Sequence, residues 1–108
     1  MPRGDTRRPD ERDFGMSCPL LRTGGFVRAA QKMVRRKPQL TDELRRTLEL
    51  LAVDMFDPRL QTHKLKGPYA GTMSCSAGYD LRILFKVVEH QGKPALLLIT
   101  VGTHEEVY

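Results

Sequence analysis

Tryptophan is absent from these 108 residues and aromatic side chains make up only 6% of them, so few rings are on hand for stacking. Cysteine is equally scarce. Cys18 and Cys75 lie far apart without a CxxC spacing, which excludes a disulfide framework and a zinc half-site and leaves reduced thiols as the simplest reading. No apolar stretch approaches the roughly 20 residues that span a bilayer, and the charged, proline-containing N-terminus has no segment resembling a signal peptide. Neither secretion nor membrane insertion is indicated, and a cytoplasmic protein is expected. The glycines spell neither GxxxxGK[ST] nor GxGxxG, which argues against nucleotide binding of those kinds. His63, His90 and His104 lack the i, i+4 spacing of a helical zinc pair, so neither a metal nor another cofactor is expected.

What is present is a 40% hydrophobic chain of a length that suits one domain with one core. The formal net charge is +5. Between Met1 and Gly15, Arg3, Arg7, Arg8 and Arg12 are balanced by Asp5, Asp10, Glu11 and Asp13, so the whole excess belongs to the remainder. There Arg28, Lys32, Arg35, Arg36 and Lys37 form a basic run without an intervening acid, which suits a polyanion or an acidic protein. A solvated helix face is the plainer reading.

Residues 1–15 are rich in charge, proline and glycine and show no periodicity; a disordered tail is expected, followed by a single domain over residues 16–108. Met16 is a candidate translation start. A strand is expected over Cys18 to Thr23, followed after Gly24-Gly25 by an amphipathic helix carrying Phe26, Ala29, Ala30, Met33 and Val34 and ending at Pro38. Thr41 is the expected N-cap of a second helix whose buried stripe is Leu44, Leu48, Leu51 and Met55, closed by Asp57-Pro58. The period then changes. Strands are expected at His63 to Lys66, Thr72 to Ala77, Asp80 to Val88 and Ala95 to Val101, broken by Gly67-Pro68, Gly78 and a loop over His90 to Lys93. Leu81, Ile83, Phe85 and Val87 would share one face of the third of these strands, and Asp80, Arg82, Leu84 and Lys86 the other. The last strand, apolar throughout Ala95 to Ile99, reads as central. The expected fold is α+β: an N-terminal strand and a two-helix hairpin packed on a mostly antiparallel, twisted sheet.

RNA cleavage by side chains alone needs a group to take the 2′-hydroxyl proton, a group to protonate the leaving 5′-oxygen, and cations for the phosphate. Histidine suits either proton role. His63 opens the sheet half beside Lys64 and Lys66, and His104 ends the last strand just before Tyr108; if those strands are neighbours, both imidazoles reach one cleft beside Arg82. Each has a plainer alternative. The two histidines read equally well as surface residues at strand ends, and Asp80 with Arg82 as a same-face ion pair. Cys75 alternates with Met73 and Ala77 and reads as a packed small side chain rather than a nucleophile. His90 falls in a loop and has no assigned role, and Tyr69 and Tyr79 read as packing or turn residues.

The pattern His63-Lys64-Leu65-Lys66-Gly67, then Gly71, then Tyr79-Asp80-Leu81-Arg82-Ile83-Leu84-Phe85, then Gly102-Thr103-His104-Glu105-Glu106-Val107-Tyr108 resembles the RelE/ParE toxin superfamily. Within it the likeness is to RelE/StbE-type, YafQ-like mRNA interferases, and it runs from about Cys18 to the C-terminus. It implies a type II toxin that cuts mRNA at the ribosome by 2′-hydroxyl attack, leaving a cyclic phosphate and a 5′-hydroxyl. It also implies an adjacent-gene antitoxin that wraps the toxin, in a hetero-oligomer, and masks its site. By the same resemblance His104 is the general acid, His63 or Asp80 the base, Arg82 with Lys64 and Lys66 the phosphate-binding group, and Tyr108 a stacking or orienting aromatic. Two positions depart from it: Cys75-Ser76 stands where YafQ-like members carry a histidine, and Leu81 where they carry a tryptophan. A gyrase-inhibiting ParE-like binder and a degenerate toxin that only binds antitoxin are the alternatives.

Overall fold

The structure, a computed structural model, describes residues 18–78, 80–103 and 107. The expected tail over residues 1–15, and with it the start of the domain, lies outside the described residues. Among these residues five strands and two long α-helices follow in order: β1 (Leu20–Arg22), α1 (Gly24–Arg36), α2 (Thr41–Val53), β2 (His63–Lys64), β3 (Met73–Ala77), β4 (Leu81–His90) and β5 (Lys93–Thr103). The sheet order is β1-β5-β4-β3-β2. β1 pairs with β5 in parallel and every other pairing is antiparallel, so the sheet is mixed, and the helices carry the chain from β1 at one edge to β2 at the other.

Thr23 determines where α1 begins. Its Oγ1 accepts from the Phe26 N–H at 3.0 Å and donates to the Leu98 carbonyl at 2.9 Å, capping the helix and tying its start to β5. Thr23→Ala is expected to cost about 1–2 kcal/mol, read as a lower urea midpoint at constant m-value; an unchanged midpoint would assign the cap to solvent.

The second helix departs from the expectation at both ends. Thr41 is its first residue rather than its cap, because Pro38–Leu40 forms a 3-10 turn that places Leu40 at the cap position without a side-chain bond. Asp42 pairs with Arg45 on the exposed face. The helix stops at Val53, short of Met55, since the Asp54 carboxylate accepts from the Phe56 N–H at 3.0 Å and turns the chain out of the helix. Asp57 then caps the Pro58–Leu60 turn, accepting from the Arg59 N–H, while the Arg59 guanidinium hydrogen-bonds its carboxylate and holds the acid down at about 2.

The core lies between the helices and one sheet face: Phe26, Met33, Leu44 and Leu51 pack against Met73, Cys75, Leu81, Ile83, Phe85, Leu96, Leu98 and Val101. The alternation expected along β4 holds from Leu81 to Phe85. Val87, expected to be buried, is half exposed, although Leu96 opposite it is fully buried. The β4–β5 hairpin is tighter than the expected loop: His90 pairs with Lys93, and Gln91 and Gly92 alone turn the chain, both with positive φ, as a two-residue hairpin requires. β2 ends at Lys64 rather than Lys66, cut off before the Gly67–Tyr69 turn, in which Gly67 takes a positive φ.

Candidate active site

The sheet face turned away from the helices carries the polar residues. Period-two alternation opposite the core residues places His63 of β2, Ser74 and Ser76 of β3, Arg82 and Leu84 of β4, and Thr100 and Gly102 of β5 on that side. Two rows cross it. His63 stands opposite Ser74, which stands opposite Leu84 and then Thr100; the next row is Ser76, Arg82 and Gly102. His63 and Arg82 are therefore two strands and two residues apart, on the order of 12 Å between backbones, a span that an arginine and an imidazole can bridge around a phosphodiester.

His63 is exposed, and its Nδ1 lies 3.0 Å from the Gln61 carbonyl oxygen. A carbonyl only accepts, so the contact assigns the proton to Nδ1 and leaves Nε2 as the acceptor in the neutral ring. Gln61 makes this approach through a left-handed backbone, φ 50°. Sequence pattern gave no signal for it.

Arg82 is half-buried, and its Nη1 donates to the Leu81 carbonyl at 3.1 Å, which anchors one edge of the guanidinium and leaves further donors for a ligand. Lys64 pairs with Met73, a core-facing position, so it alternates to the face opposite His63; Lys66 is exposed beyond the end of β2. The structure thus brings His63 and Arg82 to one face and does not bring Lys64 there. Asp80 is exposed in the turn before Leu81, whose partner across the sheet is Thr103 at the end of β5. His104 and Tyr108 lie outside the described residues.

Gly78, in the same turn as Asp80, has a φ of +60°, and a Cβ there would overlap the Glu43 carboxylate of α2. The turn that carries Asp80 is thus seated against a helix, a constraint invisible in the sequence.

Where the resemblance leads one to expect a histidine, Cys75 and Ser76 divide between the faces. Cys75 is fully buried in the core, and that burial pushes its thiol up to about 12. On the order of one in 10⁴ such groups is ionised at pH 8, so Cys75 supplies neither a nucleophile nor a proton carrier. A thiol reagent at pH 8 is expected to modify half-buried Cys18 well before Cys75 in the native protein; equal rates would contradict this packing. Ser76, opposite Arg82, is the polar neighbour that the period-two pattern could have flagged. No group of three or more histidine, cysteine, aspartate or glutamate side chains that could hold a metal occurs among the described residues. No helix among them is long and apolar enough to cross a membrane.

Two helices on one face of a five-stranded mixed sheet, with a polar opposite face, define an α+β protein with the fold of the RelE/ParE toxins. Solved toxin structures share it. YafQ from Escherichia coli superposes with a TM-score of 0.68 at 15% identity, covering 85% of this chain and 99% of that one. YafQ in the E. coli DinJ-YafQ toxin-antitoxin complex gives 0.66 at 16%, over 85% and 98%. A copper-bound mutant toxin from Helicobacter pylori gives 0.62 at 22%, over 84% and 99%. At these identities the likeness speaks for the fold. No curated protein sequence matches the chain. The family is decided by sequence: residues 20–108 match the YafQ family, described as the bacterial toxin of type II toxin-antitoxin systems, and the chain belongs to it.

Proposed function

We propose that this toxin is an mRNA interferase, an endoribonuclease that works with side chains alone, acts in the cytoplasm on mRNA at the ribosome, and is held silent by a cognate antitoxin. The observation that carries the reading is the shared sheet face of His63 and Arg82, with the proton of His63 placed on Nδ1 by Gln61. In this scheme His63 Nε2 takes the proton of the 2′-hydroxyl, and the 2′-oxygen attacks the adjacent phosphorus. The bond from phosphorus to the 5′-oxygen breaks, and His104 gives that oxygen its proton. A 2′,3′-cyclic phosphate and a 5′-hydroxyl result. Arg82 neutralises the charge that builds on the phosphate oxygens, Asp80 stabilises an imidazolium, and Tyr108 stacks on a base. Lys66, exposed beside β2, serves as a longer-range phosphate contact, and Lys64 contributes charge from the strand's other face.

The antitoxin follows from family membership, and the basic run on α1 would favour an acidic wrap. The E. coli relative in its complex with DinJ is an instance of such a pair. Chemical analysis of RNA ends after incubation of the toxin with translating ribosomes tests the chemistry. Cyclic-phosphate and 5′-hydroxyl ends are expected. Ends bearing 5′-phosphate would require a different nucleophile, and inhibition of gyrase without any cleavage would replace the enzyme by a binder.

A further inference from the structure

Between the end of α2 and the start of β2 the chain closes on itself, and the side chain that closes it has no part in the proposed chemistry. Thr62, half-buried, donates its hydroxyl proton to the Met55 carbonyl, seven residues back, and Met55 packs against the core. Within the loop the Leu60 side chain is buried, and the Gln61 N–H donates to the Pro58 carbonyl at 3.3 Å. The Gln61 carbonyl belongs to the planar peptide that joins Gln61 to Thr62. That plane is pinned on one side by the Gln61 N–H and on the other by the Thr62 hydroxyl, and its oxygen lies 3.0 Å from His63 Nδ1.

We infer that Thr62 is a positioning residue for His63. Its anchor on Met55 holds the Gln61 carbonyl where it keeps the imidazole proton on Nδ1 and leaves Nε2 free to accept. Without such a bond the neutral imidazole of histidine carries its proton mainly on Nε2, the wrong nitrogen for a base that must accept there. His63 is exposed, so the ring depends on a hydrogen bond rather than on packing for its orientation. Once Nε2 has taken a proton, the same carbonyl accepts from the imidazolium, a stronger bond than the neutral ring offers. The contribution of the Thr62 anchor therefore grows as the reaction proceeds, and its loss falls on kcat and kcat/KM together with KM unchanged. The effect on rate rests on the RNA-cleaving reading; the effect on the proton position does not.

The full chain carrying Thr62→Val, which keeps the side-chain shape and removes the hydroxyl, is compared with wild type and with Thr62→Ser, which restores the donor. Thr62→Ala is made beside the valine variant and read in the same way. Long-range proton–nitrogen correlation spectra at about pH 8 distinguish the protonated from the unprotonated nitrogen of the His63 ring, whose signals are assigned by their loss in His63→Gln. Wild type and the serine variant are expected to hold the proton on Nδ1, and the valine and alanine variants to carry it mainly on Nε2. On translating ribosomes kcat is expected to fall about tenfold in the valine variant with KM unchanged, the lower end of what a group that orients a histidine supplies, and to return in the serine variant. A wild type with its proton on Nε2 overturns the inference. A valine variant that keeps its proton on Nδ1 overturns it as well, and a rate loss in that case makes Thr62 a structural residue only. If the wild type cleaves no RNA but the proton moves as described, the cleavage reading fails while the positioning of His63 by Thr62 stands.

Discussion

Changing His104 to alanine is expected to abolish growth arrest on induced expression and to lower single-turnover cleavage by about 10²–10⁴-fold, the range supplied by a positioned proton donor. The 5′-oxygen is a poor leaving group without a proton, and in the proposed scheme no other group donates one. In the scheme His63 takes the 2′-hydroxyl proton on the attacking side of the phosphorus, and in-line displacement puts the leaving 5′-oxygen on the opposite side, away from it. Melting temperature and antitoxin binding are expected to hold, which separates a catalytic loss from a folding defect. Full toxicity in this variant would remove His104 as the acid and return it to the surface histidines.

Arg82→Ala is the second large effect. In the proposed scheme the guanidinium contributes donors and charge at the phosphate, and removing such a contact costs about two to three orders of magnitude in rate. Its Nη1 bond to the Leu81 carbonyl is local, and that carbonyl can turn to water, so the effect on stability is expected to be small. Lysine restores the charge but not the fork of donors, so Arg82→Lys recovers only part of the rate. An unchanged rate with a lowered melting temperature would instead make Arg82 a structural residue.

The fold was largely legible because hydrophobic period carries it. Phe26 and Met33 at helical spacing, and Leu81, Ile83 and Phe85 at spacing two, are core residues as expected, and the all-apolar run in β5 is flanked by β1 and β4. Boundaries were less legible, since they depend on local competition for hydrogen bonds. Asp54 captures the Phe56 N–H and ends α2 before Met55, and the Pro38–Leu40 turn displaces Thr41 from the cap. Val87 shows a different limit: its pattern marks a face, while its burial depends on what packs over that face.

Of the site, His63 and Arg82 could be named from residue type, but their arrangement depends on strand order and register. β2 lies at the edge opposite β1, so His63 reaches Arg82 only across β3. The proton position on His63 needs the left-handed backbone at Gln61, and the seating of the Asp80 turn needs Gly78 beneath Glu43. No short-range pattern encodes either. The basic run on α1 was visible as charge, but only the fold gives it a cleft with an apolar floor.

The most direct test is induced expression of the wild-type chain beside the His63→Ala/His104→Ala double variant, with the 5′ ends of cellular mRNA mapped in both. Growth arrest with in-frame mRNA cuts in the wild type alone is the predicted result. Arrest by both proteins without new 5′ ends would contradict RNA cleavage as the basis of toxicity.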